Sequence, residues 1–133
     1  MKIVQLVLSI LLLSLIVMIN VNGQVTELLV DVSNGSLQNF HSTNFPQDTP
    51  MQQDAFSIIA QNGKGIEISL SDISLGKDCS KNNISILDQN RKLLEKICCS
   101  TKKSFKRRYG KLSSLNVVIN GPGGKFIGTA KQV

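Results

Sequence analysis

The sequence is poor in the residues that most often carry catalysis and metal binding. Its 133 residues include one histidine, His41, three cysteines and no tryptophan. A cysteine nucleophile needs a nearby base to form its thiolate, and nothing in the sequence places His41 beside Cys98 or Cys99. A zinc site needs three or four ligands in a recognisable spacing, which these residues do not show. We therefore expect no enzyme, no cofactor and no metal; a cysteine hydrolase is a remote alternative, and a surface histidine is the simpler interpretation of His41.

Long apolar runs are confined to the N-terminus. A basic residue, an apolar run over residues 3–18 and a polar end together have the layout of a secretory signal peptide. Val21 and Gly23 are small enough for the −3 and −1 positions, so we predict a signal peptide over residues 1–23 and one domain over residues 24–133. The alternative is an uncleaved anchor, but polar residues interrupt the run, which is shorter than the roughly 20 residues of a spanning helix. We expect a secreted, extracellular protein with no transmembrane segment after cleavage.

Acidic residues almost disappear from the second half of the chain. Residues 89–133 contain eleven basic residues and one acidic residue, Glu95, whereas residues 24–88 contain three basic and eight acidic residues. Such a basic half attracts polyanions. We predict an anionic glycan such as heparin, an anionic phospholipid surface or an acidic protein patch as the partner, and no nucleic acid, since the protein is secreted. The alternative is an ordinary solvated segment. The predicted binding residues lie in KKSFKRRYGK and are Lys102, Lys103, Lys106, Arg107, Arg108 and Lys111.

Strand and turn patterns account for most of the remaining chain. GIEISLSDI alternates apolar and polar side chains from Gly65 to Ile73, as a half-buried strand does. NISIL and LNVVI alternate in the same way, and TELLVDV, AFSIIA and KFIGTA are further candidates. NRKLLEKI fits a helix or a strand, and we favour a strand. Turn signals separate these segments: SNGS, NFPQDTP, QNGKG, LDQN and NGPGG. Many short strands with frequent turns predict an all-β protein, an antiparallel β-sandwich.

The order of these segments resembles a CUB domain, an extracellular β-sandwich of about this length. STNFP (Ser42 to Pro46) is similar to the family's Ser-Pro-Asn-Tyr-Pro turn, and CSKNNISILDQN is similar to its Cys-x-Tyr-Asp-x-Leu-x-Val-x-Asp-Gly segment. LLEKICC is similar to its strand that ends in Cys-Gly, and LNVVI with GKFIGTA is similar to its last two strands. The resemblance implies a jelly-roll-type sandwich that binds rather than catalyses. Seminal-plasma spermadhesins, and lone CUB proteins of venom and saliva, are similar in size.

The cysteines match the family only in part. CUB domains usually carry two sequential cysteine pairs, and the first pair would fall near Leu29 and at Ala55. The resemblance implies a disulfide between Cys79 and Cys98, while pairing of Cys79 with Cys99 remains an alternative. Bonding between the two neighbouring cysteines is disfavoured by bridge geometry. Because neighbours on a strand face opposite sides, the remaining cysteine, Cys99 in this scheme, is either an unpaired thiol or the site of an intermolecular bridge.

Many CUB domains bind calcium through three acidic residues, because a hard cation prefers charged oxygen ligands. In this sequence the corresponding positions fall at Gly76, at Asn82 and near Gly121 or Pro122. The resemblance therefore implies that the usual calcium ligands are missing.

Two sequons predict N-glycosylation, NGS at Asn34 and NIS at Asn83. The first lies in a turn-like segment, and the second opens a predicted strand close to Cys79.

These features together predict a secreted, non-enzymatic binding protein. In the CUB scheme the basic run follows a strand that ends at Cys98, and we expect it to form a loop at the edge of the sandwich. Two alternatives stay open: a structural or assembly protein that acts as a disulfide-linked homodimer through Cys98 or Cys99, and the front domain of a longer CUB-containing protease.

Overall fold

The structure, a computed structural model, describes residues 25–98 and 104–133, which form nine β-strands. The predicted signal peptide, residues 1–23, lies outside the described residues. In the part that is described, no helix is long and apolar enough to cross a membrane. The strands are β1 (Val25–Asp31), β2 (Gln38–His41), β3 (Gln53–Ile59), β4 (Ile66–Ser74), β5 (Asn83–Asp88), β6 (Leu93–Cys98), β7 (Ser104–Tyr109), β8 (Ser114–Asn120) and β9 (Lys125–Gln132).

The strands form two sheets that pack face to face. One sheet has five strands in the order β1-β3-β8-β5-β6, and the other has four in the order β2-β9-β4-β7. Every pairing is antiparallel except that of β1 with β3, which is parallel. The predicted all-β sandwich is therefore confirmed, with one parallel pair that the sequence patterns did not indicate.

The core follows from the alternation within each strand. Ile66, Ile68 and Leu70 of β4 are at most 1% exposed, and the intervening side chains face outward. Burial of each such side chain contributes about 1.5–3 kcal/mol. An aromatic cluster of Phe40, Phe56 and Phe126 occupies the space between the sheets, with ring centroids 5.1–5.8 Å apart.

Gly128 lets the aromatic cluster form. A Cβ atom at this position of β9 would lie 2.8 Å from both Leu70 and Phe40. Real Cβ atoms do not come that close to their neighbours, so any side chain here would force Leu70 and Phe40 to shift.

A buried carboxylate fastens the STNFP turn to the sheet. Asp54, fully buried in β3, accepts hydrogen bonds from Thr43 N and Thr43 Oγ1, both at 2.8 Å. Thr26 Oγ1 of β1 donates to the same carboxylate at 2.5 Å. A buried charge is tolerated only when hydrogen bonds replace its hydration, and these three bonds do so while joining β1, β3 and the turn.

Two strands differ from the expectation. The basic run was expected to be a loop, but residues Ser104–Tyr109 form β7, which pairs with β4 at the edge of the four-stranded sheet. The loop prediction was wrong because Phe105 packs into the core at 7% exposure and anchors the segment. The short strand β2 was not predicted at all. The ambiguous segment NRKLLEKI does contain a strand, β6, as we favoured.

Candidate anion-binding face

The outward side of the four-stranded sheet collects cations from two strands. In the register of β7 with β4, Arg108 lies opposite Glu67 and Lys106 lies opposite Ser69. In the register of β9 with β4, Lys131 lies on the other side of Glu67. Because alternate side chains of a strand point to the same face, all of these residues face outward. We call Lys106, Arg108, Lys131 and Glu67, with the hydroxyls between them, the anion-binding face.

Glu67 is the centre of this face. Arg108 Nε donates to Glu67 Oε2 at 2.8 Å, and the Lys131 and Lys106 ammonium groups lie 3.4 and 3.8 Å from Glu67 Oε1. The Glu67 side chain is only 11% exposed, whereas the side chains of Arg108, Lys131 and Lys106 are 67%, 45% and 69% exposed. One carboxylate therefore organises three accessible cations, and the cluster keeps a net charge of +2.

The cations keep Glu67 ionised. The hydrogen bond from Arg108, and the charges of Lys131 and Lys106, hold the pKa of the Glu67 carboxyl below its usual 4.5, against partial burial, which raises it. Exposed ion pairs of this kind stabilise a fold little. Their effect here is to fix where the three cations lie.

The strand turns Arg107 away from this face. Its guanidinium lies 3.7 Å from Glu95 Oε2 of β6 and 5.4 Å from the ring centroid of Phe105. Arg107 therefore links the two sheets at the side of the sandwich where β6 and β7 lie. Tyr109 is half-buried, and burial raises the pKa of its phenol. The aromatic residues of the basic run thus pack inward and do not offer stacking surfaces to a ligand.

The six cations predicted as one site are divided by this geometry. Lys106 and Arg108 lie on the anion-binding face, Arg107 lies on the other side of the strand, and Lys111 lies exposed in the turn after β7 with a φ of 57°. Sequence reasoning missed Lys131. The alternation of KFIGTA, continued to Lys131, places it on the outward side of β9, but only the strand order brings it beside β4. The remaining two cations, Lys102 and Lys103, lie outside the described residues.

The predicted disulfide is confirmed. Cys79, in the turn between β4 and β5, is bonded to Cys98 at the end of β6, with Cα atoms 5.1 Å apart. The bridge fixes the end of β6 from which the chain continues towards β7. Cys99 lies outside the described residues, so its unpaired or intermolecular role stays a prediction.

The positions matched to calcium ligands do come together, but without carboxylates. A Cβ atom on Gly76 would lie 2.6 Å from Asn82 Nδ2. Asn82, Gly121 and Pro122 line one depression of about 590 Å³. Within residues 25–98 and 104–133, no three His, Cys, Asp or Glu side chains converge as a metal site would require.

The two sequons differ in their surroundings. Asn34 lies exposed in the turn after β1, where its Oδ1 accepts from Ser36 N at 2.9 Å. Asn83 is only 4% exposed, and its Nδ2 donates to Cys79 O at 2.9 Å. An N-linked sugar is attached through Nδ2, so a sugar on Asn83 would replace the hydrogen bond to Cys79 O. Glycosylation of Asn34 and of Asn83 stays a prediction.

His41 lies at the end of a short edge strand. It lies exposed on β2, where Nδ1 donates to Ser42 O at 2.9 Å and the ring lies 6.0 Å from that of Phe45. The simpler interpretation of His41 as a surface histidine fits these contacts.

Solved structures supply a likeness that the sequence comparisons do not. No family model and no curated protein matches the sequence. The CUB1-EGF-CUB2 domains of rat MASP-1 match with a TM-score of 0.63 at 10% identity, over 81% of this chain and 43% of that chain. The corresponding domains of human MASP-1/3 match with a TM-score of 0.61 at 15% identity, over 79% of this chain and 41% of that one. This domain has a CUB-like fold.

This structural similarity supports the fold alone, because the sequence identities are low. A third match, the full extracellular region of zebrafish Gpr126/Adgrg6, has a TM-score of 0.64 at 20% identity, over 79% of this chain and 14% of that chain. The CUB-like domain thus spans less than half of each of these three chains. What it binds must be inferred from its own surface.

Proposed function

We propose that this CUB-like domain is a secreted, non-enzymatic binding protein that holds a sulfated glycan on its anion-binding face. The observation that carries the proposal is the convergence of Lys106, Arg108 and Lys131 on Glu67, with all three cations exposed. Secretion is supported by the layout of the N-terminal segment and by the disulfide, which is typical of oxidising compartments.

The shape of the face favours a glycan over a phospholipid surface. Arg108 and Lys131 flank Glu67 on neighbouring strands, so their backbones lie roughly 10 Å apart. The next outward-facing row holds Lys106, Ser69 and Thr129, which adds hydroxyls beside the cations. A linear chain with regularly spaced sulfates can lie across such a flat row, with ionic contacts to the cations and hydrogen bonds to the hydroxyls. A bilayer would need exposed apolar side chains, and among the described residues this face offers only the half-buried Ile127.

Elution from a heparin column tests the proposal. We expect a variant with Lys106→Ala, Arg108→Ala and Lys131→Ala to elute at clearly lower salt than the wild type. The matched control removes three exposed lysines elsewhere, Lys64→Ala, Lys92→Ala and Lys96→Ala, and so has the same net charge. If both variants shift equally, the interaction depends on net charge alone and the proposed face is wrong. If anionic vesicles retain the protein and heparin does not, the ligand class is wrong.

The pairing of Cys98 supports one further role. Because Cys98 is joined to Cys79, Cys99 is the cysteine left over in the sequence, and a disulfide-linked homodimer through Cys99 is the second candidate function. A band at twice the monomer mass on a non-reducing gel, lost on reduction and in Cys99→Ser, would support it. A monomer in both lanes would exclude it. A place at the front of a longer protease stays an alternative without specific support.

A further inference from the structure

A second polar site lies at the end of the sandwich away from the anion-binding face. The cleft of about 590 Å³ lies where β5 begins and β8 ends, whereas Glu67 lies near the start of β4. Eight of the described residues line the cleft, and none of these eight is acidic. Four of the eight carry carboxamides, namely Gln52, Asn82, Asn83 and Asn120, and one, Lys81, is charged.

The floor of this cleft is held by a chain of hydrogen bonds. Asn120 Nδ2 donates to Asn83 Oδ1 at 2.8 Å, and Gln53 Nε2 donates to Asn120 Oδ1 at 3.0 Å. Asn83 Nδ2 in turn donates to the carbonyl of Cys79, a residue fixed by the disulfide. The floor amides are therefore satisfied and positioned before any ligand arrives.

The rim of the cleft carries groups that are still available. Lys81 and Gln52 are exposed and Asn82 is half-exposed. None of these three side chains has a hydrogen-bond or ion-pair partner among residues 25–98 and 104–133. Asp78 is the nearest acid along the chain, but its Oδ1 accepts from Ser80 N at 3.1 Å and from Ser80 Oγ at 2.6 Å, within its own turn. The rim therefore offers one cation and two carboxamides.

This set of groups defines the ligand chemistry. The volume lies in the range of small-molecule sites, roughly 300–1,000 Å³. A single ammonium pairs with one anionic group, and each carboxamide offers both a donor and an acceptor, which is what hydroxyl groups need. The cleft has few apolar walls to bind a hydrophobic side chain. We propose that it binds the carboxylate and hydroxyls of an acidic monosaccharide unit, with Lys81 on the carboxylate and the carboxamides of Asn82 and Gln52 on the hydroxyls.

Nuclear magnetic resonance of the ¹⁵N-labelled protein, secreted from the full chain, tests this site. The probe is N-acetylneuraminic acid, and its methyl ester, which has the same hydroxyls and no charge, is the control ligand. We expect saturable shifts in the amides of residues 80–83 and 120–121 with the acid and at least tenfold weaker binding of the ester. A carboxylate from another source, an acetylated dipeptide, should bind at least tenfold more weakly than the sugar acid.

Two variants separate the site from non-specific attraction. Lys81→Gln should weaken binding of the sugar acid at least tenfold, whereas Lys96→Gln, the same exchange on β6, should leave it within twofold. Both residues are exposed, so neither exchange threatens the fold. The proposal is overturned if the acid causes no saturable shift, if the ester or the dipeptide binds equally well, or if the two variants behave alike. Heparin retention by the anion-binding face is independent of all these outcomes.

Discussion

Arg108 Nε donates to Glu67 Oε2 over 2.8 Å and thereby joins the edge strand β7 to its neighbour β4. The pair lies in one row with Lys131, so a residue of β9 is added to the same cluster. Two cations of the basic run and one cation from β9 therefore lie on one face of the sheet. The Glu67 carboxylate contacts all three and holds them in place.

Removal of the central carboxylate should strengthen glycan binding. In Glu67→Gln the amide oxygen can still accept from Arg108, while the face gains one unit of positive charge. We expect this variant to elute from heparin at higher salt than the wild type, because the long-range attraction grows with net charge. Glu27→Gln, which removes an acid from β1 in the other sheet, is the matched control and should shift less. If Glu67→Gln instead elutes at lower salt than the wild type, the prediction is wrong. The Glu67 carboxylate then helps binding by positioning the cations more than it weakens binding by repelling the ligand.

Lowering the pH should destabilise the fold, in part because Glu67 becomes protonated. Because the pKa of Glu67 is lower in the folded protein than its usual 4.5, its ionised form contributes stability above pH 4.5, and this stability is lost as the pH falls through the depressed pKa. The pKa values of Asp31 and Asp78 are also lowered, mainly by hydrogen bonds from the hydroxyls of Ser33 and Ser80. Melting temperatures between pH 7 and pH 3 should fall less steeply for Glu67→Gln than for the wild type. Parallel curves would show that Glu67 does not contribute.

The disulfide should be a major source of stability. The bridge between Cys79 and Cys98 spans 19 positions of the sequence, and closing a loop of this size contributes about 3 kcal/mol in the chain-entropy model. We expect the double variant Cys79→Ser/Cys98→Ser to lose about that much free energy of unfolding in urea. Cys99→Ser is the control and should leave the value unchanged. An unchanged double variant, or a loss confined to Cys99→Ser, would contradict the assigned pairing.

Asp54 should contribute more to the stability of the fold than an exposed acidic residue does. Truncation to alanine leaves the donors of Thr26 and Thr43 without their acceptor, and each unsatisfied buried group costs about 1–3 kcal/mol. We predict a loss of about 3 kcal/mol for Asp54→Ala and a smaller loss for Asp54→Asn, which keeps one acceptor oxygen. Asp48→Ala, at an exposed position, should be neutral. Equal stability of Asp54→Ala and Asp48→Ala would show that the buried network is not needed.

The sequence allowed the strands with regular alternation to be predicted and failed where alternation is broken. GIEISLSDI places Ile66, Ile68 and Leu70 on one side, LNVVI places Leu115, Val117 and Ile119 on one side, and both segments form strands. In β7 the inward-facing residues are Phe105, Arg107 and Tyr109, and the arginine in the middle hides the pattern. In β2 only Phe40 faces inward over four residues, which is too short for a period to be seen.

The candidate site was predicted only in part, because strand order is not local information. Lys106 and Arg108 could be singled out from the concentration of charge. Lys131 and Glu67 could not, since neither lies in a basic run and both join the face through pairing between distant strands. The buried Asp54 was also missed, because its partners Thr26 and Thr43 come from β1 and from a turn.

The most direct test of the binding face is a titration of the ¹⁵N-labelled protein with a heparin hexasaccharide, followed by amide shifts. We predict that the largest saturable shifts come from β4, β7 and β9 around Glu67, Arg108 and Lys131, and that the Lys106→Ala/Arg108→Ala/Lys131→Ala variant loses them. Shifts that concentrate around Lys111 or Lys81, with the outward side of β4 and β9 unchanged, would contradict the anion-binding face as the site of glycan recognition.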